Sequence, residues 1–104
     1  MTDFSRNYDT TIRDLEAKLD ALIDSGISFD FSRSGDVLTI EFDSGEKIII
    51  TPQSPMEQLW ISANYAGHRF NWDGGNWINE KGGQELSKFL PEALSLQLGI
   101  TVDV

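Results

Sequence analysis

The hydrophobic pattern of this chain changes period twice, and that change restricts the fold more than any other feature. Phe4, Tyr8, Ile12, Leu15, Leu19, Leu22 and Ile23 recur at the i, i+3, i+4 spacing of one amphipathic helical stripe, which Ser25-Gly26 terminates. The period then becomes two. Ile27, Phe29 and Phe31 alternate with Ser28, Asp30 and Ser32. After a Ser34-Gly35-Asp36 turn, Val37 to Phe42 alternates again, with Leu38, Ile40 and Phe42 expected to face the helices. Asp43-Ser44-Gly45-Glu46 is the next turn, and Lys47 to Thr51 the third strand, with Ile49 on its outer side. Pro52 and Pro55 fix φ and withhold donors, which suits residues 51 to 55 to a rigid bend. Gln58 to Ala63 alternates once more: Leu59, Ile61 and Ala63 face one way, Gln58, Trp60 and Ser62 the other. Ala66-Gly67 reads as a turn, His68 to Trp72 as a strand, Asp73-Gly74-Gly75 as a turn and Asn76 to Asn79 as the last strand.

Beyond Lys81-Gly82-Gly83 the helical spacing returns in Leu86, Phe89, Leu90, Ala93, Leu94 and Gln97, with Pro91 inside the helix and Gly99 past its end. Helix, a run of hairpin-connected strands, then helix predicts an α+β two-layer sandwich. Both helices lie on one face of an antiparallel sheet of about six strands, and the other face stays open. At 104 residues this is one domain.

The outward side of the Gln58 to Ala63 strand is polar except for Trp60, which either a second layer covers or which stands as a solvent-exposed anchor for a partner; alternation opposite Leu59 and Ile61 puts it on the exposed side. The net charge of −9 is unevenly spread. Residues 1 to 46 hold eleven acids against Arg6, Arg13, Lys18 and Arg33, a net of −7; the remainder carries −2. Such a field disfavours nucleic acid and attracts cations and basic protein surfaces. Within the first helix Glu16, Asp20 and Asp24 form a carboxylate row at i, i+4, i+8. With Asp9 it is expected on the wet face, and Arg13 partly neutralises it. Carboxylate oxygens are hard ligands that suit divalent and trivalent cations with little selectivity among them. Binding on a helix exterior leaves water in most coordination positions and is weak. There is no cysteine, hence no disulfide, thiolate nucleophile or cysteine-held metal. No signal, transit or membrane segment is visible, so a cytoplasmic protein is expected. The lone imidazole, His68, reads as an ordinary surface residue; it is preceded by Tyr65, not by the glutamate of a Glu-x-x-His di-iron motif.

Val37-Leu38-Thr39-Ile40, the turn Ile50-Thr51-Pro52-Gln53-Ser54-Pro55, Gln58-Leu59-Trp60-Ile61-Ser62, Arg69-Phe70-Asn71-Trp72 and Gly75-Asn76-Trp77-Ile78 resemble, in order and spacing, the successive strand motifs of the frataxin family. The similarity covers essentially the whole chain and is to the bacterial branch. It implies weak iron binding on an acidic ridge of Glu16, Asp20, Asp24 and Asp30, with Asp14 nearby, and a role in iron–sulfur cluster assembly. It also implies engagement of a cysteine desulfurase and a scaffold protein, through the ridge (Glu16, Asp20, Asp24) and a sheet site of Gln53, Gln58, Trp60, Arg69 and Asn71. A monomer is expected in the absence of metal. Thr51 stands where that turn usually has asparagine, and Ala17, Ala21 and Ser28 stand where richer ridges carry acids. Fewer metals are implied. Ferroxidase or iron-storage activity, and a metal-independent acidic module for a basic protein, are the alternative roles.

Overall fold

The computed structural model describes residues 3–63 and 66–104. Helix α1 spans Asp3–Asp24 and buries Phe4, Tyr8, Ile12, Leu15 and Leu19. Its partner α2, Leu86–Leu98, buries Leu86, Leu90, Ala93 and Leu94 and ends at Gly99, whose left-handed φ of 74° lets its N–H return to the Ser95 carbonyl. Between them run β1 (Asp30–Ser34), β2 (Val37–Glu41), β3 (Lys47–Gln53), β4 (Gln58–Ala63), β5 (Ala66–Trp72) and β6 (Trp77–Asn79). They form one six-stranded sheet in sequence order, and every neighbouring pair is antiparallel. The buried stripes of both helices join Leu38, Ile40, Ile48, Ile50, Leu59, Ile61 and Phe70 in one core. Both helices therefore cover the same sheet face, as the change of period predicts.

Several boundaries differ from the sequence expectation: Ser34 belongs to β1 and Phe42 lies just past β2. Strand β1 begins at Asp30, so Ile27 and Phe29 form a connection in which Phe29 is still buried. Residues Ala66 and Gly67 belong to β5, paired with Ala63 and Ser62, and are not a turn. The last strand begins at Trp77, with Asn76 left in the preceding loop. The rigid bend is shorter than residues 51 to 55: β3 continues through Pro52 to Gln53, and Pro52 pairs with Leu59. Strand β2 pairs with β3 only as far as Ile50, so Pro52 lies where β3 has one neighbour and a missing donor is tolerated. The reversal itself is the 3-10 turn Ser54–Met56, closed by Glu57 at a left-handed φ of 52°.

Two hydrogen bonds tie α1 to the sheet from either side. The Trp77 indole Nε1 donates to Thr11 Oγ1 at 2.8 Å. The Tyr8 hydroxyl donates to the Asp36 carbonyl oxygen in the β1–β2 turn, with the Ile50 carbonyl oxygen 3.3 Å away. These contacts fix which flank of α1 faces β1 and which faces α2. No helix among the described residues is long and apolar enough to cross a membrane.

Candidate functional site

Register decides where the predicted carboxylates go. Arg33 pairs with Leu38 across β1 and β2, and therefore shares the helix-facing side of the sheet with Phe31 and Ile40. From there its Nη1 reaches Glu16 Oε1 at 3.5 Å and Asp9 Oδ1 at 3.8 Å. Arg13 Nε donates to Asp9 Oδ2 at 2.8 Å. Asp9 and Glu16 thus border the sheet edge instead of standing opposite the buried stripe, and Arg13 neutralises Asp9, not the Glu16–Asp24 row. Asp20 and Asp24 are exposed beyond them. One sequence clue to Arg33 existed: it is one of four bases in an acidic half.

The remaining two predicted ligands fall elsewhere. Asp14 lines the groove between α1 and α2, with Lys18, Trp72 and Leu86, so it lies on the flank of α1 away from Glu16. A separation of two residues turns the helix by about 200°, which places them on different sides. Asp30 pairs with Glu41, itself paired with Lys47, and alternation puts all three on the open sheet face. The Lys47 Nζ lies 3.5 Å from Glu41 Oε2. The five predicted metal residues are therefore divided among three surfaces. Among the described residues, no three acidic or histidine side chains converge as a metal site. Hard oxygen donors are present, but as one or two per position, which fits a weakly held, largely hydrated cation and not an enclosed one.

The sheet residues, by contrast, come together. Gln53 pairs with Gln58 and Gln58 with Asn71, while Thr51, Trp60 and Arg69 form the adjacent row. The Trp60 Nε1 donates to Gln58 Oε1 at 2.9 Å, and Gln58 Nε2 donates to Asn71 Oδ1 at 3.1 Å and to Glu80 Oε1 at 3.2 Å. The Arg69 guanidinium lies 4.8 Å above the Trp60 ring centre. Two expectations change as a result. Trp60 is half-buried under Arg69, not freely exposed, and Gln58 is 4% exposed although it lies on the open face. Glu80, which no sequence pattern singles out, completes the network because the chain turns back after β6: its N–H donates to the Arg69 carbonyl at 2.8 Å. The resulting patch has a fixed indole edge, an exposed Arg69 and an exposed Asn71.

His68, expected as an ordinary surface residue, is half-buried. It lies on the helix-facing side of β5, two residues before Phe70, with its ring 4.6 Å from that of Phe89 and Nδ1 3.4 Å from the Asn79 amide nitrogen.

Comparison with known proteins places this arrangement. A frataxin-like domain model matches residues 1–100. The iron-sulfur cluster assembly protein CyaY of Janthinobacterium sp. (strain Marseille) is 42% identical over 103 residues, covering 97% of this chain and 92% of that protein. The protein of the same name from Cupriavidus metallidurans is 38% identical over 89 residues, covering 85% and 80%. Among solved structures, the frataxin of Psychromonas ingrahamii superposes with a TM-score of 0.86 at 33% identity, over 97% of this chain and 93% of that one. The trimeric frataxin of Saccharomyces cerevisiae, in its ferrous complex, has the same fold, with a TM-score of 0.78 at 23% identity over 88% and 85%. Two helices on one face of a six-stranded meander, a matching domain model over nearly the whole length and relatives above 30% identity lead to one assignment: the chain belongs to the frataxin family, in its CyaY branch.

Proposed function

We propose that this protein acts in iron–sulfur cluster assembly in the bacterial cytoplasm, binding iron weakly and regulating a complex of cysteine desulfurase and scaffold. The observation that carries the reading is the separation of two unlike surfaces on one rigid body. One is an acidic flank, where Asp20 and Asp24 are exposed beyond Glu16. The other is the ordered Gln58–Trp60–Arg69–Asn71 patch on the open sheet. The relatives that share the sequence over most of its length are named for cluster assembly.

Chemically, the acidic flank offers carboxylate oxygens to ferrous or ferric iron as cargo, and Asp20 and Asp24 stand about 6 Å apart along the helix, one turn from each other. The same charges suit a basic protein surface, so metal and desulfurase compete for them. Asp30 extends this field around the sheet edge; Asp14, on the other flank, is outside it. The sheet patch suits the scaffold: a half-buried indole and a stacked guanidinium are the residue types that dominate protein interfaces. Because no three ligands converge among the described residues, a metal-independent role as an acidic interaction module is the competing reading.

Cluster formation by a reconstituted desulfurase and scaffold, measured with and without this protein across iron concentrations, separates the two. A regulatory effect that changes with iron supports the proposal; an effect insensitive to iron supports the module. The Asp20→Lys, Asp24→Lys double variant should lose desulfurase binding and weaken iron binding while leaving α1 folded, since cations favour a helix C-terminus. Trp60→Ala should weaken the complex while costing well under the roughly 3 to 5 kcal/mol of a fully buried aromatic truncation. Wild-type desulfurase binding by the double lysine variant at low salt would refute the shared site.

A further inference from the structure

Between α1, α2 and the β5–β6 hairpin lies a cavity of about 390 Å³, within the size range of small-molecule sites. Its wall is aromatic. Trp77 is buried, and Trp72 packs edge-on against it with ring centres 5.1 Å apart. Trp72 lies on the helix-facing side of β5, two residues beyond the fully buried Phe70, yet it is 36% exposed. An aromatic ring on the core side of a sheet is normally covered by the opposing layer; here the cavity lies over it.

Two amides meet at the Trp77 end of that wall. Thr11 Oγ1 accepts the Trp77 indole N–H and donates to the Asn7 carbonyl oxygen, which sets Asn7 one helical turn from the residue that touches the indole edge. Asn76 immediately precedes Trp77 in the chain. Both asparagines line the cavity, and their side-chain amides have no hydrogen-bond partner among the described residues. Each presents a donor beside an acceptor. The charges of the lining, by contrast, select no ion. Arg6 and Lys18 stand twelve residues apart on α1, about 18 Å and a third of a turn, so one ligand group cannot meet both. Asp14 and the main-chain carboxylate of Val104 share the lining and cancel them. An ion entering the groove would give up hydration without gaining a net opposite charge.

We propose that this groove binds a small, uncharged, planar aromatic molecule with an amide edge, its ring against Trp72 and its donor–acceptor pair toward the amides of Asn7 and Asn76. Burial of the ring supplies affinity. The asparagines supply selectivity, because a side-chain amide matches the donor and acceptor of a ligand amide and leaves a charged analogue only partly satisfied. The proposal is independent of the cluster-assembly reading, since it uses neither Asp20 and Asp24 nor the sheet patch.

Indole-3-acetamide, indole-3-acetate, tryptamine and 3-methylindole, titrated into the isotope-labelled full chain and followed by NMR, present one ring with an amide, an anion, a cation and no polar group. Indole-3-acetamide is expected to shift the indole N–H signals of Trp72 and Trp77 and the side-chain amides of Asn7 and Asn76 while leaving Trp60 in place. It should bind about tenfold more tightly than either ion. Asn7→Ala combined with Asn76→Ala should weaken indole-3-acetamide about tenfold, the size of two exchanged hydrogen bonds, and leave the affinity for 3-methylindole unchanged. Shifts centred on Trp60, either ion binding as tightly as the amide, an unaltered amide affinity in the double variant, or no shift at millimolar indole-3-acetamide would each overturn the proposal.

Discussion

At the scale of single residues, Tyr8 carries the clearest pH dependence. Its hydroxyl is buried against the Asp36 and Ile50 carbonyls. Burial pushes the phenol far above its ordinary range, the Asp36 charge adds to this, and Arg33 partly offsets it. A folded-state value above the unfolded one means that the stabilisation is complete below about pH 10, where a free tyrosine titrates. It is lost as the pH rises beyond that. Urea unfolding at pH 8 and pH 11 should therefore show a loss of stability at the higher pH that Tyr8→Phe reduces. Equal losses in the two proteins would remove Tyr8 as the cause. The sequence gives Tyr8 only as one member of an apolar stripe; its partner sits 28 residues away in a turn, and no local pattern encodes that meeting. Arg33 was hidden for a similar reason: its role depends on a register, Arg33 opposite Leu38, that becomes visible only when both strands are placed.

Among the elements, legibility follows how strongly one face is buried. The stripe of α1 and the alternation of β2 and β4 were readable because a shift by one residue would expose a whole set of core side chains. The boundaries that moved are those with little burial to hold them: Ala66 and Gly67 are exposed, and β1 has only Phe31 partly buried. Asp14, which only the family resemblance put near the ridge, lies two residues of helix from Glu16, and that separation carries its side chain to the other flank. Helix α2 retains Pro91 as its sixth residue, where the ring removes the bond to the Ser87 carbonyl. Pro91→Ala should restore that bond and raise the melting temperature. A domain of this size gains roughly 4 to 8 °C per kcal/mol, against a smaller opposing loss from the freer unfolded chain. Calorimetry showing an unchanged or lower melting temperature would indicate that the helix accommodates the ring without net cost.

For the whole molecule, the charge is the dominant global term. A net charge of −9 on 104 residues repels itself in the compact state, so added salt should raise the denaturant midpoint until the repulsion is screened. A midpoint independent of salt between low and physiological ionic strength would show that pairs such as Arg33–Glu16 and Arg13–Asp9 already balance the field. The strand order has a kinetic consequence. Because β1 to β6 pair strictly with their sequence neighbours, the sheet can assemble from hairpins with short loop closures, whereas the docking of the first helix against the last strand and α2 spans most of the chain. The Trp77–Thr11 hydrogen bond joins residues 66 apart and marks that docking. Thr11→Val should cost about 1 to 3 kcal/mol by orphaning the indole N–H, and the cost should appear almost wholly as faster unfolding with little change in the refolding rate. A refolding rate that falls in proportion would mean that the two ends of the chain meet before the sheet between them is built.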